Sequence, residues 1–220
     1  KYLGRGEVSI RTTFEKLEVN DRSYVILDMI MKERHLESLL YSLKNYKGKK
    51  EISKTTNQLY HLIKAFLEPS NKSSIGQFKV ALNFIPFNLR NKICVLVRRH
   101  IGKELMQRVH KIFTSEHKAN KRLKAFIEIL RNPKYKYSSL TLFGFTTEEL
   151  YEKIQQIRYQ HQSIRQVFSG KKIPADFREL LEKDRQIEKA SRSKNLENCL
   201  EKLQQLKARL KGRKPVPLMA

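Results

Sequence analysis

Apolar residues recur along this chain at spacings of three and four, the period of a helix that buries one face. The clearest run is Leu89, Ile93, Val97, Ile101, Leu105, Val109 and Ile112, which predicts one long helix whose stripe keeps phase across Gly102. Upstream, Leu27, Met31, Leu36, Leu39, Leu40 and Leu43 predict a helix from an Asp21 N-cap to about Tyr46, closed by the basic loop Lys47-Gly48-Lys49-Lys50. Leu59, Leu62, Ile63 and Phe66 mark a second helix from about Ser53 to Leu67, stopped by Pro69. Ile75, Phe78, Leu82 and Ile85 mark a short one, and Pro86 suits the first turn of the long helix.

Beyond the long helix, Leu123, Phe126, Ile127 and Leu130 predict a helix over 115–131, closed by Asn132-Pro133. Residues 134–143 alternate weakly and read as an extended segment or a single strand. Thr146 and Glu149 have capping-box spacing and open a helix to about Phe168. Pro174 opens a short helix to about Arg185. A final helix over 193–211 carries Leu196, Cys199, Leu203, Leu206 and Leu210 as an a/d seam. So short a seam favours docking onto the body, or a hairpin with the helix over 147–168, above homodimerisation. At the other end, Val8 and Ile10 alternate as in a short strand or extended arm.

The fold class expected is all-α or nearly so: a multi-helix bundle with a C-terminal helical hairpin and one short N-terminal strand or arm. Five regions follow: an arm over 1–20, a basic helical body over 21–131, a linker or extended segment over 132–146, a hairpin-like region over 147–211, and a tail over 212–220. Composition agrees. A hydrophobic fraction of 40% supplies a core, and eight Gly and six Pro are few for the turns of an all-β domain. No apolar run reaches the roughly 20 residues of a membrane span. The chain opens on Lys1 with no apolar signal-peptide core, as a fragment or a processed chain would. Cys94 and Cys199 lie far apart on helical stripes and read as buried free thiols, which suits an intracellular reducing compartment: cytoplasm, nucleus or organelle matrix.

Charge changes the picture most. Lys and Arg number 46 against 22 Asp and Glu, a net +24. Residues 52–147 hold 18 of the bases and four acids, while 151–200 hold 11 and seven, an ordinary salt-bridged surface. Repulsion at that density calls for a partner rich in phosphate or carboxylate.

Catalytic chemistry finds little support in the pattern, and the chain reads as non-enzymatic. Gly4-Arg5-Gly6 lacks the third glycine of a dinucleotide fingerprint, and Gly170-Lys171-Lys172 lacks the P-loop frame. None of the six histidines forms a His-Glu-x-x-His pair, and no cysteine pair has metal-ligand spacing, so neither metal nor cofactor is expected.

The candidate binding residues are therefore cationic. Arg98, Arg99, Lys103, Arg108 and Lys111 decorate the long helix, and Lys118, Lys121, Arg122 and Lys124 follow it. Lys134, Tyr135, Lys136 and Tyr137 interleave ammonium groups with rings that stack on bases. A polyanion is the expected partner, RNA before DNA, because no recognition-helix turn or zinc finger is present. The RNA expectation is electrostatic, since no aromatic RNA-binding motif appears either.

The alternative is a protein–protein adaptor, with an acidic protein partner. The stretch Glu68-Pro-Ser-Asn-Lys-Ser-Ser-Ile-Gly-Gln-Phe-Lys-Val-Ala-Leu-Asn-Phe-Ile-Pro-Phe-Asn-Leu-Arg90 resembles the centre of harmonin-homology domains in its Leu/Ile-Pro rhythm, given an insertion near 47–56. The resemblance implies a small helical scaffold that docks partner peptides and carries over no residue roles. Docking on an anionic membrane ranks behind both readings, and no small-molecule substrate is indicated.

Overall fold

The computed structural model describes residues 24–68 and 72–211. The arm over 1–20, the Asp21 cap and the tail over 212–220 lie outside the described residues. Among those described there are nine α-helices and no β-strand, an all-α multi-helix bundle.

The first helices are α1 (Tyr24–Lys32) and α2 (Leu36–Lys44). Sequence periodicity predicts one continuous helix here, and the structure corrects it. Met31 and Leu36 are five apart, which a helix of 3.6 residues per turn cannot place on one stripe. The chain instead breaks at Glu33–His35, so that Ile26 and Ile30 are buried on α1, and Leu36, Leu39 and Leu43 on α2. Ser42 Oγ donates to Glu33 Oε1 at 2.8 Å and braces the corner. Met31 is left exposed.

Helix α3 (Lys50–Leu67) packs on α2 and on α4 (Lys72–Leu82), with Phe66 stacked on Phe78 at 4.1 Å between ring centroids. Pro86 is the N-cap of α5 (Phe87–Phe113), which runs 27 residues without interruption. Gly102 is no breaker: a Cβ there would meet Ser138 Oγ at 3.2 Å and Leu140 Cβ at 3.5 Å, so the glycine admits a second segment against the helix. Helix α5 buries Leu89, Ile93, Leu96, Val97, Ile101, Leu105 and Val109, and joins the two ends of one continuous core.

Helix α6 (Ala119–Arg131) leads into a 3₁₀ turn, Pro133–Tyr137, where sequence alternation suggests an extended stretch. Asn132 caps this turn by accepting from the Lys134 N–H at 3.0 Å. Leu142 and Phe145 then exchange backbone hydrogen bonds of 2.8 and 3.0 Å around Phe143 and Gly144. Both central residues have positive φ, 56° and 80°, the signature of a type I′ turn. Phe143 is held in that left-handed region by its ring, stacked on Phe177 at 5.0 Å.

The Thr146–Glu149 capping box opens α7 (Thr147–Tyr159), with both reciprocal bonds formed. Helix α7 ends earlier than its periodicity suggests, because His161 takes a φ of 55°. A second capping box, Ser163–Gln166, opens the one-turn α8 (Ile164–Val167). The predicted 175–185 and 193–211 helices are one, α9 (Ala175–Lys211), since no glycine or proline interrupts the stretch between them. Its first turns bury Phe177, Leu180 and Leu181 against α6, and Arg158 on α7 reaches Asp184 at 3.2 Å. Beyond that point, among the described side chains, the seam is not docked onto the body as expected: Leu196, Leu200, Leu203 and Leu206 are all half exposed or more.

Candidate nucleic-acid interface

The predicted cations divide according to which flank of α5 they leave. Arg98, Arg99 and Lys103 project from the side away from the buried stripe. There the helix and the 138–140 segment, admitted by Gly102, enclose an open groove of about 390 Å³. Val95, Met106 and Leu140 give it apolar walls, and Val95 and Met106 are each about half exposed. Among the described residues no carboxylate forms an ion pair with Arg98, Arg99 or Lys103. All three are exposed; Lys103 acts at longer range on the Glu37 carboxylate and helps lower its pKa, while Arg98 and Arg99 set positive charge beside small apolar surfaces. Lys111 is exposed at the end of α5, and Lys118, Lys121 and Lys124 are exposed around the start of α6.

The opposite flank is different. Glu104 gathers Lys134 Nζ at 2.5 Å, the Tyr135 hydroxyl at 2.9 Å and Arg108 Nε at 3.0 Å. Burial pushes the Glu104 carboxyl up. The hydrogen bonds from Lys134 and Tyr135 and the charges of Lys134 and Arg108 outweigh it and hold the group below the usual carboxylate range. Tyr135 is shifted the other way: burial, reinforced by the carboxylate it serves, pushes its hydroxyl far up and keeps it neutral. These residues line a larger groove of about 770 Å³, whose walls also carry Glu37, Glu68, Lys44 and Lys64. His100 Nδ1 lies 2.9 Å from Glu37, whose pKa is lowered first by its own backbone N–H and then by His100. Charge in this groove is largely compensated.

Besides Arg108, five of the candidate contacts are reassigned. Lys134 and Tyr135 are buried, at 6% and 1% exposure, and Tyr135 cannot stack on a base while its ring fills the core. Tyr137 packs edge-on against Phe66 at 5.0 Å with Lys79 above its ring. Lys136 is exposed but paired with Glu148. Arg122 is half-buried and donates to the Phe113 carbonyl at 3.3 Å, a brace between α5 and α6. Among the described residues, the exposed Tyr and Phe rings are instead Tyr24, Tyr41, Phe87 and Tyr159. Their positions outside the apolar periodicity are the signal that would have singled them out. The thiols also depart from expectation: Cys94 is half-buried, with burial raising its pKa, and Cys199 is exposed.

No helix among the described residues is long and apolar enough to cross a membrane. No protein-family model, curated protein or solved structure matches the chain.

Proposed function

We propose that this protein is a non-enzymatic module that docks a polyanion, with single-stranded RNA as its ligand. The observation that carries the reading is the groove of Arg98, Arg99 and Lys103. Three exposed cations converge there on Val95, Met106 and Leu140, none of them in a close ion pair among the described residues, with Lys103 alone reaching a carboxylate, Glu37, at longer range. Phosphates displace counterions when they meet such groups, and this release supplies most of the affinity. The apolar walls and the flat guanidinium faces offer a seat to ribose and base edges, which duplex DNA keeps inside its stack. Lys111, Lys118, Lys121 and Lys124 extend the favourable potential past the end of α5. An intracellular reducing compartment suits this role and the exposed Cys199 thiol.

The test is RNA affinity measured against salt. The wild-type protein is expected to give a steep log–log fall. The Arg98→Gln, Arg99→Gln, Lys103→Gln triple variant should lower that slope by about two, at about 0.7 per single-strand phosphate contact. A flat wild-type response, or an unchanged slope in the variant, rejects the groove as the RNA seat.

A further inference from the structure

The distal half of α9 presents a second surface, independent of the α5 groove. Leu196, Leu200, Leu203 and Leu206 are 64%, 50%, 61% and 54% exposed, and with Cys199 they fall within about 120° of the helix circumference. A solvated helix does not ordinarily align five apolar positions on one stripe. The stripe begins inside a groove of about 520 Å³ between α7 and α9, where Ile157, Leu181 and Leu196 share the lining with Arg185, Lys189 and Arg192. The acids beside that groove are already engaged, Asp184 by Arg158 and Glu188 by Arg192.

Charge selects what covers the stripe. With Leu196 and Leu203 at a and Cys199 and Leu206 at d, Lys202 takes the g position and Lys207 the e position. Glu197 and Glu201 fall on the opposite side of the helix. Two copies paired in parallel would set Lys202 against Lys207 of the other copy, and in the antiparallel sense each lysine would meet its own counterpart. Both arrangements oppose like charges at the seam. A helix with an apolar a/d seam and Glu or Asp at e and g satisfies the same positions. We infer that α9 beyond Arg192 docks an acidic amphipathic helix of another protein as a heterotypic coiled coil.

The experiment uses the full chain and three synthetic four-heptad helices. One has Leu at a and d with Glu at e and g, a second has Lys at e and g, and a third keeps the Glu residues but has Gln at a and d. The Glu/Leu helix is expected to bind at least about tenfold more tightly than either of the others. Leu203→Asp with Leu206→Asp should abolish that binding and leave the melting temperature unchanged, because both side chains are mostly exposed. Lys202→Glu with Lys207→Glu should reverse the preference towards the Lys/Leu helix. Sedimentation of the wild-type chain alone should give a monomer. Equal binding of the Glu/Leu and Glu/Gln helices would reduce the effect to bulk charge and overturn the inference. So would no binding of the Glu/Leu helix, or a wild-type dimer that the Asp pair dissociates.

Discussion

On one flank of α5, Arg108 and Lys134 meet at Glu104; on the other, Arg98, Arg99 and Lys103 share a groove with no paired carboxylate among the described residues. Both sides carry several basic residues. What separates them is the acids, Glu37, Glu68 and Glu104, that line only the first, and the burial of Lys134 there. Where Glu104 is present, a lysine can be buried, because its ammonium exchanges hydration for a carboxylate at 2.5 Å. Where no acid is present, the cations stay solvated, and their mutual repulsion is relieved only by a mobile counterion or a bound anion. The same basic excess therefore braces the fold on one side and is available to a ligand on the other.

The strongest way to break this contrast is Glu104→Gln. It strands the Lys134 ammonium in the core and should cost about 3 kcal/mol, the lower end for a broken buried pair because Glu104 keeps 22% exposure. Denaturant unfolding at neutral pH measures it, and RNA affinity should not move. The same variant carries a pH signature. The Glu104 pKa is lowered in the folded protein, so its stabilisation is complete above the ordinary value of 4.5 and is lost as pH falls through the lowered one. The difference between wild type and Glu104→Gln should accordingly shrink on acidification below about pH 4.5. A gap that stays constant would show that Glu104 acts by packing rather than charge.

The triple Gln variant of the open groove is the converse. It should weaken RNA about tenfold, or 1.4 kcal/mol, while the melting temperature holds. Loss of both together would mean that the groove cations are structural after all.

Two smaller effects sharpen the boundary. Tyr135→Phe should cost about 1 kcal/mol of stability through the lost hydrogen bond to Glu104, with RNA affinity unchanged. A drop in affinity without a drop in stability would return Tyr135 to the binding surface. Arg108→Gln removes an exposed i,i+4 pair and should change stability by less than about 0.5 kcal/mol and RNA slope not at all. A reduced slope would extend the interface onto the compensated flank.

Much of the bundle was legible in the order of residues. The phase of Leu89 through Val109 is a local property of one helix, and it held through Gly102 because glycine weakens a helix by less than a well-packed stripe supports it. The Thr146–Glu149 box was legible for a similar reason: cap and partner are three residues apart. The break between α1 and α2 was written in the five-residue step from Met31 to Leu36, an offset easily absorbed into a longer pattern. Helix ends set by contacts further away, such as the left-handed His161, carried no such mark.

The candidate site divides along the same line. Its positive charge, and the residues that supply it, follow from composition and helical periodicity alone. Which of those cations face water was decided by tertiary structure, because burying an ammonium requires a particular acid at a particular distance. Lys134 and Glu104 are 30 residues apart and adjoin only once α5 and the 3₁₀ turn are packed. Tyr135 and Tyr137 read as an exposed alternating pair until the turn rotated one ring into the core and laid the other on Phe66. Sequence thus determined the helices and the sign of the surface potential, which are sums of local terms. Packing decided where that potential remains unspent, which depends on pairs of groups that only the fold brings together.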